Sequence, residues 1–72
     1  MDVEKIISII ENDLKKNERV IIDTNKINEL VSNINKYNKY KLMYNIIKNY
    51  LSNKEYKVII LSKNKYLIEK RN

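Results

Sequence analysis

The segment KYKLMYNIIKNYLS, residues 39–52, combines regularly spaced apolar residues with lysines and asparagines. Its apolar side chains recur with the period of an α-helix, which predicts a helix over roughly 38–52 with one buried side. The side chains predicted to be buried are Leu42, Met43, Ile46, Ile47, Tyr50 and Leu51. Polar residues, among them Lys41, Asn45 and Lys48, occupy the opposite side. Such a helix is held in place by one face and presents hydrogen-bond donors on the other.

Two runs of β-branched and aromatic residues follow this helix and predict a hairpin. They extend from Tyr56 to Leu61 and from Tyr66 to Lys70. The residues between them, Ser62-Lys63-Asn64-Lys65, favour a turn. The register of the hairpin stays open, because a two-residue turn and a four-residue turn would direct different side chains inward.

The N-terminal half of the chain begins with another amphipathic pattern. Apolar residues at helical spacing predict a first helix through Val3, Ile6, Ile7, Ile10 and Leu14. Asp2 is a candidate N-cap, and Lys15-Lys16-Asn17 marks the C-terminal end. The segment Arg19-Val20-Ile21-Ile22 is too short and too β-branched for a helix, so it predicts a brief strand.

A short second helix is predicted after this strand. Asp23 or Thr24 would cap it, and its buried side chains would be Ile27, Leu30, Val31 and Ile34. The segment Asn35-Lys36-Tyr37-Asn38 lacks apolar periodicity and predicts the turn between two helices. Because the chain contains no glycine, we expect asparagines at the left-handed backbone positions. The candidates are Asn17, Asn35, Asn53 and Asn64.

The predicted order is helix, short strand, helix, helix and two hairpin strands, an α+β fold in a single domain over residues 1–72. This order resembles the winged helix-turn-helix superfamily. The resemblance covers essentially the whole chain and rests on element order and periodicity. It implies that the first strand joins the C-terminal hairpin, called the wing, and that the third helix is presented to the major groove of DNA.

Charge divides the chain into two unlike halves. Residues 1–35 hold five basic and seven acidic residues, a net charge of −2, whereas residues 36–72 hold ten basic and two acidic residues, a net charge of +8. Such an asymmetry is typical of a protein with a polyanion-binding face. Lysines that only keep a small domain in solution are the alternative interpretation.

Several classes of function lack the residues they need. Cysteine, histidine and glycine are absent, which removes disulfides, zinc fingers, thiol or imidazole catalysis and Gly-rich phosphate loops. We therefore expect no enzyme activity, cofactor, metal or small-molecule substrate. The longest apolar run, Val58 to Leu61, is too short to span a membrane. The acidic N-terminus is unlike a secretory signal, so we expect an intracellular protein.

The expected partner is nucleic acid, with duplex DNA favoured. Lys41, Asn45 and Lys48 follow i, i+4, i+7 spacing and project together; asparagine can read adenine, and lysine can contact guanine or phosphate. Residues at the helix entrance and the hairpin tip would hold phosphates, and Tyr44 is equally compatible with packing. The predicted nucleic-acid-binding residues are Lys36, Tyr37, Lys39, Tyr40, Lys41, Tyr44, Asn45, Lys48, Lys63 and Lys65.

A narrower resemblance links the chain to the Z-alpha domains of viral and host proteins. It is carried by the element order, the size and the segment Leu42-Met43-Tyr44. Z-alpha domains bind left-handed duplexes, and on this resemblance Tyr44 would match the family tyrosine and Lys36 and Lys41 the backbone-binding basic residues. The chain departs from the family at Tyr40, where asparagine is usual, and in a wing without Pro-Pro-x-Trp.

The sequence leaves the partner and the oligomeric state open. The basic face could dock an acidic protein instead, as a viral or phage inhibitor would. A homodimer would suit a two-fold DNA site, although the sequence reveals no interface. The abundance of Asn, Lys and Ile is typical of an AT-rich genome, such as that of a low-GC bacterium, virus or mobile element. A role in transcription regulation, or as an accessory factor, fits such a source.

Overall fold

The computed structural model describes residues 3–71 and confirms an α+β fold with three helices and a three-stranded antiparallel sheet. The predicted N-cap Asp2 lies outside the described residues. Helices α1, α2 and α3 span Val3–Asn17, Thr24–Leu30 and Lys36–Leu51. Strands β1, β2 and β3 span Arg19–Ile22, Tyr56–Ser62 and Lys65–Lys70. The predicted order of elements is therefore confirmed, and the bounds of the second and third helices shift.

The short strand β1 joins the C-terminal hairpin, so that the sheet has the order β1-β3-β2. Ile68 of the central strand lies opposite Val20 on one side and Val58 on the other. The hairpin turn contains only Lys63 and Asn64, which resolves the register that the sequence left open. Asn64 has a φ of 66°, as expected for a left-handed asparagine in this turn.

One hydrophobic core lies between the helices and the sheet. Five of the six elements contribute a fully buried side chain, and the sixth, β2, packs Tyr56 and Val58 against the core. The fully buried residues include Ile10, Ile22, Ile27, Ile46, Tyr50 and Ile68. Since removal of apolar surface from water drives folding, this shared core holds α3 against both the other helices and the hairpin.

The turn between α2 and α3 differs from the prediction. Helix α2 ends at Leu30, and α3 begins at Lys36, so residues 31–35 form the turn and the predicted turn at 35–38 was wrong. The reason is the cap: the Asn35 side chain accepts a hydrogen bond from the Asn38 backbone N–H at 2.8 Å. This bond starts the helix in a polar segment that has no apolar period. Ile34 packs against the core from the turn rather than from α2.

Left-handed backbone conformations occur at Glu18, Asn33 and Asn64 among the described non-glycine residues. Of the four predicted asparagines, Asn64 is therefore correct and the other three were wrong. Helix α1 continues through Asn17, which moves the left-handed position to Glu18. Asn35 instead caps α3, and the Asn53 side chain accepts a hydrogen bond from the Glu55 backbone N–H at 2.9 Å. Asparagine satisfies a turn by side-chain hydrogen bonds as readily as by a left-handed backbone.

None of the helices within residues 3–71 has the length and apolar character required to cross a lipid bilayer.

Candidate nucleic-acid interface

Helix α3 is fixed from one side and open on the other. Leu42, Met43, Ile46, Ile47 and Tyr50 are buried in the core. The side facing away from the core carries Tyr37, Lys41, Tyr44 and Lys48, at i, i+4, i+7 and i+11, and all four are exposed. These four residues are called the tyrosine–lysine stripe below. Because this spacing follows the helical period, the four side chains form one continuous row on the helix surface.

Asn45 lies at the edge of this row. It is half-buried and shares a shallow depression of 310 Å³ with Asn38, Lys41 and Val3 of α1. The predicted set of Lys41, Asn45 and Lys48 is thus on one side of the helix, with the two lysines exposed. Asn45 faces the flank next to α1, so its amide is less open than the two lysines.

The tip of the hairpin meets the first turns of α3. Lys63 and Asn64 from the turn, together with Lys36 and Tyr40 from α3, line a depression of 320 Å³. The lining contains two lysines from different elements and no acidic residue. This depression lies on the other flank of the tyrosine–lysine stripe from Asn45, because Lys36 and Tyr40 are on the opposite side of the helix axis.

Two of the predicted lysines are placed apart from this surface. Lys39 is half-buried and shares the helix face of Met43 and Ile46, which turns toward the core. Lys65 borders a different depression of 380 Å³, which Asp23, Lys26 and Glu29 also line. Lys63 and Lys65 are close in sequence, yet they adjoin surfaces of different charge.

Three acidic residues of the N-terminal half, Asp13, Asp23 and Glu29, interact with Lys26 of α2. Lys26 pairs with Asp13 at 3.0 Å and with Glu29 at 4.0 Å. Asp23 caps α2 by accepting a hydrogen bond from the Lys26 backbone N–H at 2.8 Å. Helix α3 itself contains four lysines and no acidic residue. In the part of the chain that the structure describes, the salt bridges found involve Lys26 and none of the lysines of α3.

Tyr50 connects α3 to the hairpin from the buried side. Its ring packs edge-on against Tyr56 of β2, with centroids 5.2 Å apart and planes at 89°. Burial, together with the negative charge of Glu11, raises the pKa of Tyr50 above its ordinary value. The same two causes raise the pKa of Tyr56. The contact between the two rings joins α3 to β2.

Sequence patterns missed three features of this surface. Tyr37, predicted at the helix entrance, lies inside α3 and belongs to the stripe. Its helical spacing to Lys41 and Tyr44 was not recognised, because a turn was predicted at residues 35–38. Leu51, predicted to be buried, is 67% exposed. It is the last residue of α3 and lies one turn beyond Lys48, on the side of the stripe rather than of the core. Asn64 joins the lysines at the hairpin tip only through the fold.

The chain was compared with protein-family models, with curated proteins and with solved structures, and no match was found in any of the three.

Proposed function

We propose that the chain is a winged helix-turn-helix domain that binds duplex DNA through α3 and the tip of the C-terminal hairpin, as a regulator or accessory factor. Two features of the fold support this proposal. The strand β1 adds to the hairpin in the order β1-β3-β2, as the winged helix resemblance implies. Helices α2 and α3 are separated by a short turn, and α3 presents an uncovered face.

The observation that carries the proposal is the uniform charge of α3 and the hairpin tip. Lys41 and Lys48 are exposed on the helix, and Lys36 and Lys63 meet beside its first turns. No acidic residue interrupts either group. A helix is about 10–12 Å wide with its side chains, which matches the roughly 12 Å width of the major groove. In this arrangement α3 enters the groove while the hairpin tip reaches the flanking backbone.

Each residue of the surface has a role in this proposal. Lys41 and Lys48 contact base edges or phosphates, and the Asn45 amide reads a base from the flank of the helix. Lys36, Tyr40 and Lys63 bind a phosphate at their shared depression. Because phosphate contacts release counterions, affinity should fall steeply as salt rises.

The test is a fluorescence anisotropy titration of a labelled mixed-sequence duplex at a series of salt concentrations. Removing one phosphate contact lowers the slope of log affinity against log salt by about one, so Lys48→Ala should show this loss. Lys16→Ala is the matched control, because Lys16 is an exposed lysine in the last turn of α1. A flat salt response of the unaltered protein would contradict the proposal and favour an acidic protein partner for the same face.

A left-handed duplex is the second candidate ligand, because Tyr44 is 65% exposed on the stripe. This is the residue that the Z-alpha resemblance places against the nucleic acid. A duplex held in the left-handed form by methylated or brominated cytosines serves as the comparison. Tighter binding of that duplex than of the same sequence in B-form, together with its loss in Tyr44→Ala, would favour this candidate.

A further inference from the structure

We infer that the tyrosine–lysine stripe also binds unpaired nucleic acid, with the rings of Tyr37 and Tyr44 stacked on bases and with Lys41 and Lys48 on the phosphates. This activity goes beyond the duplex binding proposed above and does not require it. The ligand is a single strand, of DNA or of RNA.

The exposure of the two rings is the first observation. Tyr37 is 74% exposed and Tyr44 is 65% exposed, whereas Tyr50 is fully buried and Tyr56 and Tyr66 pack against the core. Among the hydrogen bonds and ring contacts found within residues 3–71, none involves the side chain of Tyr37 or Tyr44. Both side chains are therefore largely exposed and can be reached by a planar ligand.

The spacing of the stripe is the second observation. Tyr37 and Tyr44 are seven residues apart, which is about 10.5 Å along a helix axis. An unpaired strand has a flexible backbone and can place two of its bases across this separation. Lys41 lies between the rings and Lys48 lies one turn beyond Tyr44. A strand that runs along α3 would meet ring, cation, ring and cation in turn.

The chemistry of the stripe favours a single strand over a duplex for the rings. The grooves of a duplex present base edges, while the faces of the bases are stacked inside it. Every unpaired base offers a face to an aromatic ring, and each such stack contributes about 1–3 kcal/mol. The lysines supply the positive charge that follows the backbone, and α3 has no acidic residue to oppose it. The alternation of rings and cations thus matches unpaired bases on a phosphate backbone.

The experiment compares labelled oligo(dT), oligo(U) and a mixed-sequence duplex in anisotropy titrations. Tyr37→Leu/Tyr44→Leu removes both rings and should weaken single-strand binding at least tenfold. Tyr37→Phe/Tyr44→Phe keeps the rings without the hydroxyls and should stay within about twofold of the unaltered protein. Both pairs replace exposed side chains, so circular dichroism should show the same fold in each. Lys41→Ala/Lys48→Ala should weaken binding of single strands and duplex together.

The outcomes separate this inference from the duplex proposal. Binding of oligonucleotide without binding of duplex would support the inference and overturn the duplex proposal. Binding of oligo(dT) alone would identify DNA as the ligand, and binding of oligo(U) alone would identify RNA. The inference is overturned if neither oligonucleotide binds at low salt, or if the leucine pair and the phenylalanine pair bind single strands equally well.

Discussion

The hydroxyl of Tyr50 is buried and finds no hydrogen-bond partner among residues 3–71. A buried polar group without a partner loses its bonds to water and costs about 1–3 kcal/mol. The ring itself fills the core and contacts Tyr56. Tyr50 therefore combines a favourable ring with an unfavourable hydroxyl at the point where α3 meets the hairpin.

Tyr50→Phe should raise the free energy of unfolding by about 1 kcal/mol, because it keeps the ring and removes the unpaired hydroxyl. For a domain of this size such a gain corresponds to a rise in melting temperature of roughly 4–8 °C. Urea unfolding followed by circular dichroism measures the change. A loss of stability would mean that the hydroxyl is paired in solution.

The raised pKa of Tyr50 also predicts how stability depends on pH. The folded state favours the neutral phenol, so this contribution is fully present below the unfolded pKa of 10.0 and is lost as pH rises above it. The free energy of unfolding should therefore decrease at alkaline pH, and it should decrease less in the Tyr50→Phe variant. Unfolding curves from neutral to alkaline pH provide the measurement. Part of the decrease should remain in this variant, because the pKa of Tyr56 is also raised.

Glu18 is held in the left-handed region, with a φ of 63°. Its backbone N–H donates to the carbonyl of Leu14 at 2.8 Å, which closes the end of α1. The left-handed conformation costs a residue with a β-carbon about 1–2 kcal/mol. Glycine avoids this cost, although the greater entropy of the unfolded chain offsets part of the stabilisation. Glu18→Gly should thus stabilise the protein by about 0.5 kcal/mol in urea unfolding. Asn64→Gly should stabilise the protein less, because asparagine tolerates the left-handed region. Equal stabilisation by the two substitutions would contradict this explanation.

The residue at which helix α3 begins depends on its N-cap. The helix begins at Lys36 because Asn35 satisfies the Asn38 backbone N–H, and this brings Tyr37 into the stripe. The opposite end is closed by the Ser52 hydroxyl, which donates to the carbonyl of Asn49 at 3.1 Å. Both ends of the helix are therefore set by side chains outside the apolar pattern.

Asn35→Ala should destabilise the protein by about 1 kcal/mol, because it removes the N-cap bond of α3. Asn49→Ala is the matched control: Asn49 is exposed inside the same helix, where alanine is favourable by a few tenths of a kcal/mol. Urea unfolding of the two variants gives the comparison. If both substitutions have the same effect, the cap does not determine the start of α3.

In the molecule as a whole, the fold brings Lys36 of α3 together with Lys63 of the hairpin tip. Helix α3 lies between the start of α1, which approaches Asn45, and the hairpin tip, which approaches Lys36 and Tyr40. The acidic side chains around α2 adjoin Lys65 instead. Lys63 and Lys65, which flank the turn residue Asn64, therefore have different charged neighbours.

Lys63→Ala should weaken duplex binding several-fold and lower the salt slope by about one, since Lys63 shares its depression with Lys36. Lys65→Ala, the matched control two residues away, should change both quantities much less, because Asp23 and Glu29 are close by. Anisotropy titrations over a salt series measure both. A larger effect at Lys65 would place the DNA on the α2 side of the hairpin.

Apolar periodicity predicted the order of the helices and strands, and residue counts located the excess of basic charge in residues 36–72. These properties are local: apolar periodicity shows in a single segment whether or not its neighbours are known. The start of α3 at Lys36 and the exposure of Leu51 were not predicted, because a polar cap carries no apolar period and an apolar residue at the end of a helix need not lie on its buried face.

Which side chains meet depends on how distant segments pack together. Strand β3 pairs with both β1 and β2, and a two-residue turn joins it to β2. This arrangement places Lys63 beside Lys36 and Tyr40, and it places Lys65 beside Asp23. The physical reason is that strand register and helix packing depend on contacts between segments far apart in the chain. A shift of one residue in the strand register would turn different side chains toward α3.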